Sequence, residues 1–132
     1  MSLERNWLKF TAGPPQRLKT RIRVTLNKWG YIHLSRTAYE MFGRPRAVNL
    51  YYEPEKQQIA LEHAEARRDE SFPLIAKQHG AYDVVATPFC RHHRITIDGT
   101  EAFVRPEIDG GLMILDLRQT VRVGGFKKGA NR

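Results

Sequence analysis

The sequence predicts a mainly β fold, a β-barrel built from two β-turn-β-α-β-turn-β units with two short helices. Three features of the sequence point to this fold. Residues 17–26 alternate between cationic and apolar side chains with the period of two that is typical of a half-buried strand. Turns that contain Gly, Pro, Asn or Asp separate the later apolar runs. The order of elements in the first half recurs in the second half.

The first unit is predicted to span residues 17–62, after an arm of residues 1–16. Its first strand directs four apolar residues toward the core, namely Leu18, Ile22, Val24 and Leu26. The further elements are a turn at 27–30, a strand at 31–34, a helix between the cap Ser35 and the terminator Gly43, and strands at 47–52 and 58–62. Ala38, Met41 and Phe42 form the apolar stripe of the helix.

A charged linker, residues 63–71, leads to the second unit, residues 72–117. Its predicted elements are a strand at 72–77, a turn at 78–80, a strand at 82–86, a helix at 89–94 started by Thr87-Pro88, and strands at 102–108 and 112–117 around Asp109-Gly110-Gly111. Residues 118–132 are predicted to be a basic C-terminal tail. One unit has too little core to fold alone, so we expect residues 17–117 to form one barrel.

Composition narrows the class of protein. The chain has 132 residues and one cysteine, Cys90, so it cannot form an internal disulfide. A reducing compartment, the cytoplasm, fits that count. The longest aliphatic run, residues 112–115, is far shorter than a membrane span, and the first residues lack the apolar stretch of a secretory signal. We therefore expect a cytoplasmic globular domain without a membrane partner.

Positive charge is concentrated at the two ends of the chain. The net charge is +8, from 22 Lys and Arg against 14 Asp and Glu. Residues 1–30 carry seven basic and one acidic side chain, and residues 117–132 carry five basic and none acidic. The middle of the chain holds ten basic and thirteen acidic side chains. Such asymmetry favours a polyanion binder, usually of nucleic acid, although basic tails also serve solubility.

Residues 17–62 resemble the AbrB/SpoVT-type swapped-hairpin domain. The resemblance lies in the strand before Leu26, the turn Lys28-Trp29-Gly30, the strand from Tyr31, the helix ending Met41-Phe42-Gly43, and the hairpin that follows. In that family two units interlace into one swapped-hairpin β-barrel, usually as a homodimer. The present chain looks like two such copies fused in one polypeptide, an arrangement similar to that of the MraZ relatives.

The resemblance implies a protein that binds double-stranded DNA as a transcriptional regulator or an antitoxin. In this family the DNA contacts come largely from arginines on the first strand, after the turn glycine and in the helix. This chain departs from that pattern, because Tyr31, not an arginine, follows Gly30. From the charge pattern and the turn, the residues that we expect to contact nucleic acid are Arg17, Lys19, Arg21, Arg23, Lys28, Trp29, Tyr31, Arg36, Arg44 and Arg46.

Four of these residues form a cationic stripe on the first strand, namely Arg17, Lys19, Arg21 and Arg23. Alternate residues on a strand lie about 6.6–6.8 Å apart, close to the spacing of phosphates along a nucleic-acid strand. The stripe could therefore neutralise several phosphates, whereas Lys28, Trp29 and Tyr31 at the turn could enter a groove or stack on a base. An alternative role for the stripe is to protect an edge strand from aggregation.

Three further groups of residues could extend the basic surface. Arg44 and Arg46 flank Pro45 after the first helix, where a solvated loop is equally consistent. A second basic patch is formed by Arg91, His92 and Arg94, which could contact phosphate or an acidic partner. The tail contributes Lys127, Lys128 and Arg132, as a groove-tracking arm or as a solubilising segment.

Metal binding and catalysis are not expected. Cys90, His92 and His93 lack the paired spacing of a structural zinc site, so Cys90 is interpreted as a small core residue. A Cys/His nucleophile pair lacks a third orienting residue, and the chain contains no phosphate-binding glycine motif. We therefore predict no catalytic residues, no metal and no cofactor.

The sequence thus predicts a non-enzymatic DNA-binding regulator or antitoxin-like protein that contacts phosphates through its basic first strand. Two alternatives remain open at this point. One is a protein-interaction module or a subunit of a larger assembly, in which the basic ends hold an acidic partner protein. The other is an RNA-binding protein that uses the same surfaces. Because only the first half carries the stripe, symmetric recognition of a palindrome would require a homodimer.

Overall fold

A computed structural model describes residues 22–65 and 69–124. Within them, ten antiparallel strands form one curled, half-barrel sheet with two short α-helices, which confirms the prediction of a mainly β, barrel-like fold. The elements are β1 (Val24–Asn27), β2 (Tyr31–Leu34), α1 (Arg36–Met41), β3 (Ala47–Glu53), β4 (Gln58–Ala64), β5 (Phe72–Ala76), β6 (Tyr82–Val85), α2 (Thr87–His92), β7 (Thr100–Phe103), β8 (Glu107–Asp109), β9 (Leu112–Asp116) and β10 (Thr120–Arg122). A 3-10 turn, Gln78–Gly80, joins β5 to β6.

The two halves of the chain exchange strands. The sheet order is β10-β7-β1-β2-β6-β5-β3-β4-β9-β8, so the β5–β6 hairpin lies between β2 and β3. At the centre β2 pairs with β6, with Tyr31 opposite Val85 and Leu34 opposite Tyr82. On either side β3 pairs with β5 of the other half, and β7 pairs with β1. An approximate twofold axis therefore relates β1 to β5, β2 to β6, α1 to α2, β3 to β7 and β4 to β10.

The core lies on the inner face of the curled sheet and is closed by both helices. Its central strands contribute every second residue, as expected from the period of two in a strand. The members that are at most 1% exposed include Val24, Leu26, Ile32, Leu34, Phe42, Ile59, Leu61, Val84, Met113 and Leu115. Tyr39 of α1 stacks on Tyr82 with ring centroids 3.8 Å apart, and its hydroxyl donates to the Pro45 carbonyl at 2.8 Å. The core thus joins residues of both halves into one unit.

Helix α1 follows the sequence prediction in its cap and differs from it in its apolar stripe. The Ser35 hydroxyl accepts a hydrogen bond from the Ala38 backbone at 3.2 Å, so Ser35 is the N-cap as predicted. Ala38 and Phe42 are buried, whereas Met41 is 56% exposed. With about 3.6 residues per turn, the buried face is formed by Ala38, Tyr39 and Phe42, and Met41 lies outside it.

The second half differs more from its prediction. The strand predicted at 102–108 is two strands, β7 and β8, and β9 pairs with β8 and also with β4 of the first half. The β8–β9 hairpin is thus an insertion between β7 and β10 that crosses to the other side of the sheet. The segment predicted as a tail from residue 118 contains β10, which pairs with β7 through Val121 and Ala102. Local patterns missed β10 because two of its three residues are exposed.

Candidate nucleic-acid interface

The turn between β1 and β2 is fixed by a dense set of hydrogen bonds. The side-chain oxygen of Asn27 accepts from the backbone N–H groups of Trp29 and Tyr31, each at 3.0 Å. The Gly30 N–H donates to the Asn27 carbonyl at 3.0 Å, and Gly30 adopts a φ of 86° that favours glycine. Lys28 and Trp29 are therefore presented by a rigid turn.

Helix α2 of the second half clamps this turn. The Thr87 hydroxyl donates to the Trp29 carbonyl at 2.6 Å, and the Ala86 N–H donates to the Gly30 carbonyl at 2.9 Å. Thr87 is the first residue of α2, and Ala86, not Thr87, occupies the N-cap position without a side-chain cap. The sequence correctly identified a helix start here, but the Thr87 hydroxyl holds the neighbouring turn instead of capping its own helix.

A cleft opens between the clamped turn, α2 and the loop after α2. We call it the Trp29 cleft; it has a volume of about 190 Å³ and is lined by Leu26, Asn27, Lys28, Trp29, Gly30, Thr87, Cys90, Arg91, Ile95, Thr96 and Ile97. Trp29 is 61% exposed, and the Lys28 ammonium lies over its ring, 5.0 Å from the centroid. An exposed aromatic ring and two cations thus share one small concave surface.

The predicted cations fall into two electrostatic groups. Arg36 and Arg44 both form ion pairs with Glu40, at 3.2 and 3.6 Å. Within residues 22–65 and 69–124, by contrast, no carboxylate lies within 4.0 Å of Lys28 or Arg91. The cations at the Trp29 cleft are therefore available to an external anion without breaking an internal ion pair.

Of the cationic stripe, only Arg23 belongs to the described residues. Arg17, Lys19 and Arg21 lie outside them, as do Lys127, Lys128 and Arg132 of the tail. Arg23 precedes β1 and is half-buried; its N–H donates to the Ser35 hydroxyl at 3.1 Å, and its carbonyl accepts from the Ser35 N–H at 2.9 Å. The strand predicted from residue 17 is observed from Val24 onward, so the stripe stays a prediction.

The other predicted contact residues are dispersed. Tyr31 is half-buried on β2 opposite Val85, and Arg46 is exposed before β3, where its carbonyl accepts from the Leu74 N–H at 3.0 Å. Arg36 and Arg44 lie on the α1 side and share Glu40. The structure thus brings Lys28 and Trp29 together with Arg91, a residue that the sequence assigned to a separate second patch.

The rest of that second patch lies around the end of α2. His92 and Arg94 are exposed, and Arg94 has a φ of 56°. The ring of His93 packs against Phe89, Tyr52 and His92 with centroids 4.7 to 4.9 Å apart. Burial lowers the pKa of His93, and the neighbouring His92 lowers it further. His93 therefore contributes to the packing at the end of α2.

A second groove, which the sequence did not indicate, lies at the position equivalent to the Trp29 cleft. It lies between the 3-10 turn and α1 and has a volume of about 1480 Å³. On its wall His33 Nδ1 lies 2.7 Å from a carboxylate oxygen of Asp83, which is only 8% exposed. These two residues come from opposite halves and are joined by the pairing of β2 with β6. No local pattern could have placed them together.

The described residues contain no group of three or more His, Cys, Asp or Glu side chains that could hold a metal ion. Cys90 is 6% exposed and lines the floor of the Trp29 cleft. No helix in the described part of the chain combines the length and the hydropathy needed to cross a membrane.

We expect the Cys90 thiol to resist alkylation in the folded protein. Burial raises its pKa to about 11, so the reactive thiolate is scarce near pH 8. Iodoacetamide at pH 8 should therefore modify the folded chain far more slowly than the chain in urea, as followed by mass spectrometry. Equal rates in the two conditions would show that the floor of the cleft is open to solvent.

Comparison of the chain with protein-family models, curated proteins and solved structures finds no match. The resemblance to the swapped-hairpin domains therefore rests on the sequence pattern, and membership of that family stays a prediction.

Proposed function

We propose that this protein is a non-enzymatic, cytoplasmic DNA-binding protein of the regulator or antitoxin kind. The observation that supports the proposal is the exposed Trp29 ring, with Lys28 above it and Arg91 beside the same cleft, on a turn that is clamped in place. The ligand that fits this surface is double-stranded DNA, whose phosphates the two cations would neutralise.

The charge arrangement favours a polyanion over a neutral partner. Lys28 and Arg91 have no carboxylate within ion-pair distance among the described residues, so binding a phosphate costs them no existing ion pair. Each phosphate that a cation neutralises releases counterions from DNA, and this release provides the sequence-independent part of the affinity. The Asn27 and Thr87 hydrogen bonds fix the turn beforehand, which reduces the entropy lost on binding.

In the part of the chain that the structure describes, this cleft lies on one side of the approximate twofold axis only. The equivalent position of Arg91 in α1 is Glu40, since each is the fifth residue of its six-residue helix. One chain would therefore contact one half-site, and recognition of a palindrome would require a homodimer.

The test is a salt titration of binding to a short DNA duplex. The double variant Lys28→Ala/Arg91→Ala should lower the slope of log affinity against log salt concentration by about 2, because two phosphate contacts are lost. The matched control Lys56→Ala/Arg105→Ala removes one lysine and one arginine that are exposed elsewhere, and it should leave the slope unchanged. A separate variant, Arg21→Ala/Arg23→Ala, tests the cationic stripe in the same assay.

Three results would overturn the proposal or redirect it. If the chain does not bind the duplex, the proposed function is wrong. If the cleft variant and its control have equal slopes of log affinity against log salt concentration, the Trp29 cleft is not part of the DNA interface. Stronger binding to an RNA duplex of the same sequence would redirect the proposal to RNA.

A protein-interaction module remains the second candidate, because one feature outside the cleft favours it. Val121 of the edge strand β10 is 56% exposed, and Val104, which directly follows β7, is 57% exposed. Exposed apolar side chains on an edge strand are typical of a surface that another protein covers. If the wild-type chain does not bind DNA even in low salt, that result would favour this second function.

A further inference from the structure

We propose that the Trp29 cleft accepts a single unpaired nucleobase, so that the protein prefers DNA with a base outside the helical stack over a perfect duplex. The inference rests on the proposed function, since it assigns a role to a cleft on a DNA-binding surface. The unpaired base is then the feature of the DNA that the surface recognises.

The walls of the cleft have the chemistry of a base pocket. Trp29 supplies an exposed indole for stacking, and Leu26, Ile95 and Ile97 supply apolar contacts. Thr96 supplies a hydroxyl that could bond to the polar edge of a base. Proteins that hold an extruded base do so by stacking it against aromatic or apolar side chains and by hydrogen bonds to its edge.

The size of the cleft limits the ligand to one flat ring system. A volume of about 190 Å³ admits one nucleobase and leaves no room for a base pair. Cys90 and Leu26, which are 6% and 1% exposed, close the floor, so the ligand has to enter from the solvent side beside Trp29. A base within a duplex cannot reach this floor, whereas a bulged base can.

The cations are suitably placed for the phosphates that flank such a base. Lys28 precedes Trp29 in the turn and Arg91 lines the α2 side of the cleft, so the base would enter between two positive charges. The equivalent groove of the other half is about 1480 Å³ in volume and has Glu40 at the position of Arg91. It is too wide for one base, and its cations Arg36 and Lys77 are paired with Glu40 and Asp83, so we expect one base site in each chain.

The experiment compares three DNAs that share their flanking sequence: a perfect duplex, a duplex with one bulged base, and a duplex with an abasic bulge. The full chain with Trp7→Phe is used, because Trp7 and Trp29 are the two tryptophans of the sequence. The bulged base should bind roughly tenfold more tightly than either other DNA, as expected for one stacked base, and it alone should quench the Trp29 fluorescence.

Three variants separate the base site from general DNA binding. Trp29→Ala should abolish the preference for the bulged base and leave binding to the abasic bulge. Thr96→Phe, which fills the cleft, should do the same, whereas Val104→Phe adds the same ring at an exposed position elsewhere and should keep the preference. Equal affinity of the wild-type chain for the base bulge and the abasic bulge would overturn the base site but not the proposed function. Absence of binding to all three DNAs would overturn both.

Discussion

Replacing Gly30 with alanine should lower the free energy of unfolding by about 2–4 kcal/mol, because two effects add. The backbone of Gly30 has a φ of 86°, which L residues with a Cβ adopt only under strain. A Cβ at this position would also lie 2.9 Å from the Thr87 Cα, which is a backbone atom and cannot rotate away. The added methyl group would force the β1–β2 turn away from α2. Urea unfolding followed by circular dichroism measures the loss.

Gly110→Ala is the matched control for this prediction. Gly110 has a φ of 63°, but a Cβ there would meet nothing within 4 Å. We expect a loss of about 1 kcal/mol, from the backbone conformation alone. If both variants lost the same free energy of unfolding, the close packing of Gly30 against Thr87 would not contribute to stability. The same Gly30 variant should also weaken DNA binding, since the clamped turn carries Lys28 and Trp29.

Replacing Phe42 with alanine should cost about 3–5 kcal/mol, the largest effect that we expect from one substitution. Phe42 is fully buried at the end of α1, and the ring of His63 from β4 packs edge-on against it with centroids 4.7 Å apart. The variant removes a large apolar side chain and leaves a cavity that the surrounding strands cannot fill. Thermal or urea unfolding monitored by near-ultraviolet circular dichroism would detect the loss.

The control for Phe42 is its neighbour, Met41→Ala. Met41 is 56% exposed, so its truncation should change the free energy of unfolding by less than about 1 kcal/mol. The sequence placed both residues on the apolar stripe of α1, and only the structure separates them. Comparable losses in the two variants would mean that Met41 is covered in solution.

Sequence patterns were sufficient to predict the features that depend on residues close together in the chain. The N-cap Ser35, the turn after Asn27 and the hairpin turn at residues 109–111 follow from local hydrogen bonding and from the conformational freedom of glycine. The repeat of elements was also visible, because both halves place a short helix after a strand. These features give the fold class.

The remaining features depend on contacts between residues that lie far apart in the sequence. Arg91 reaches the Trp29 cleft only because α2 packs on a turn that lies some 60 residues earlier, so the sequence assigned it to a different patch. The pairing of β9 with β4 and the contact of His33 with Asp83 have the same origin. The hydrophobic period and the secondary-structure propensities of a segment predict which of its faces is buried. They carry no information about which other element covers that face.

The exchange of strands within one polypeptide has a consequence for how such a protein can evolve. A symmetric pair of identical subunits must place the same residue on both sides of its axis, so any change in one subunit appears twice. Here the two sides are encoded separately: Glu40 in α1 pairs with Arg36 and Arg44, whereas no carboxylate among the described residues pairs with Arg91 in α2. Selection can therefore alter one side for a ligand while the other side keeps the scaffold electrically balanced.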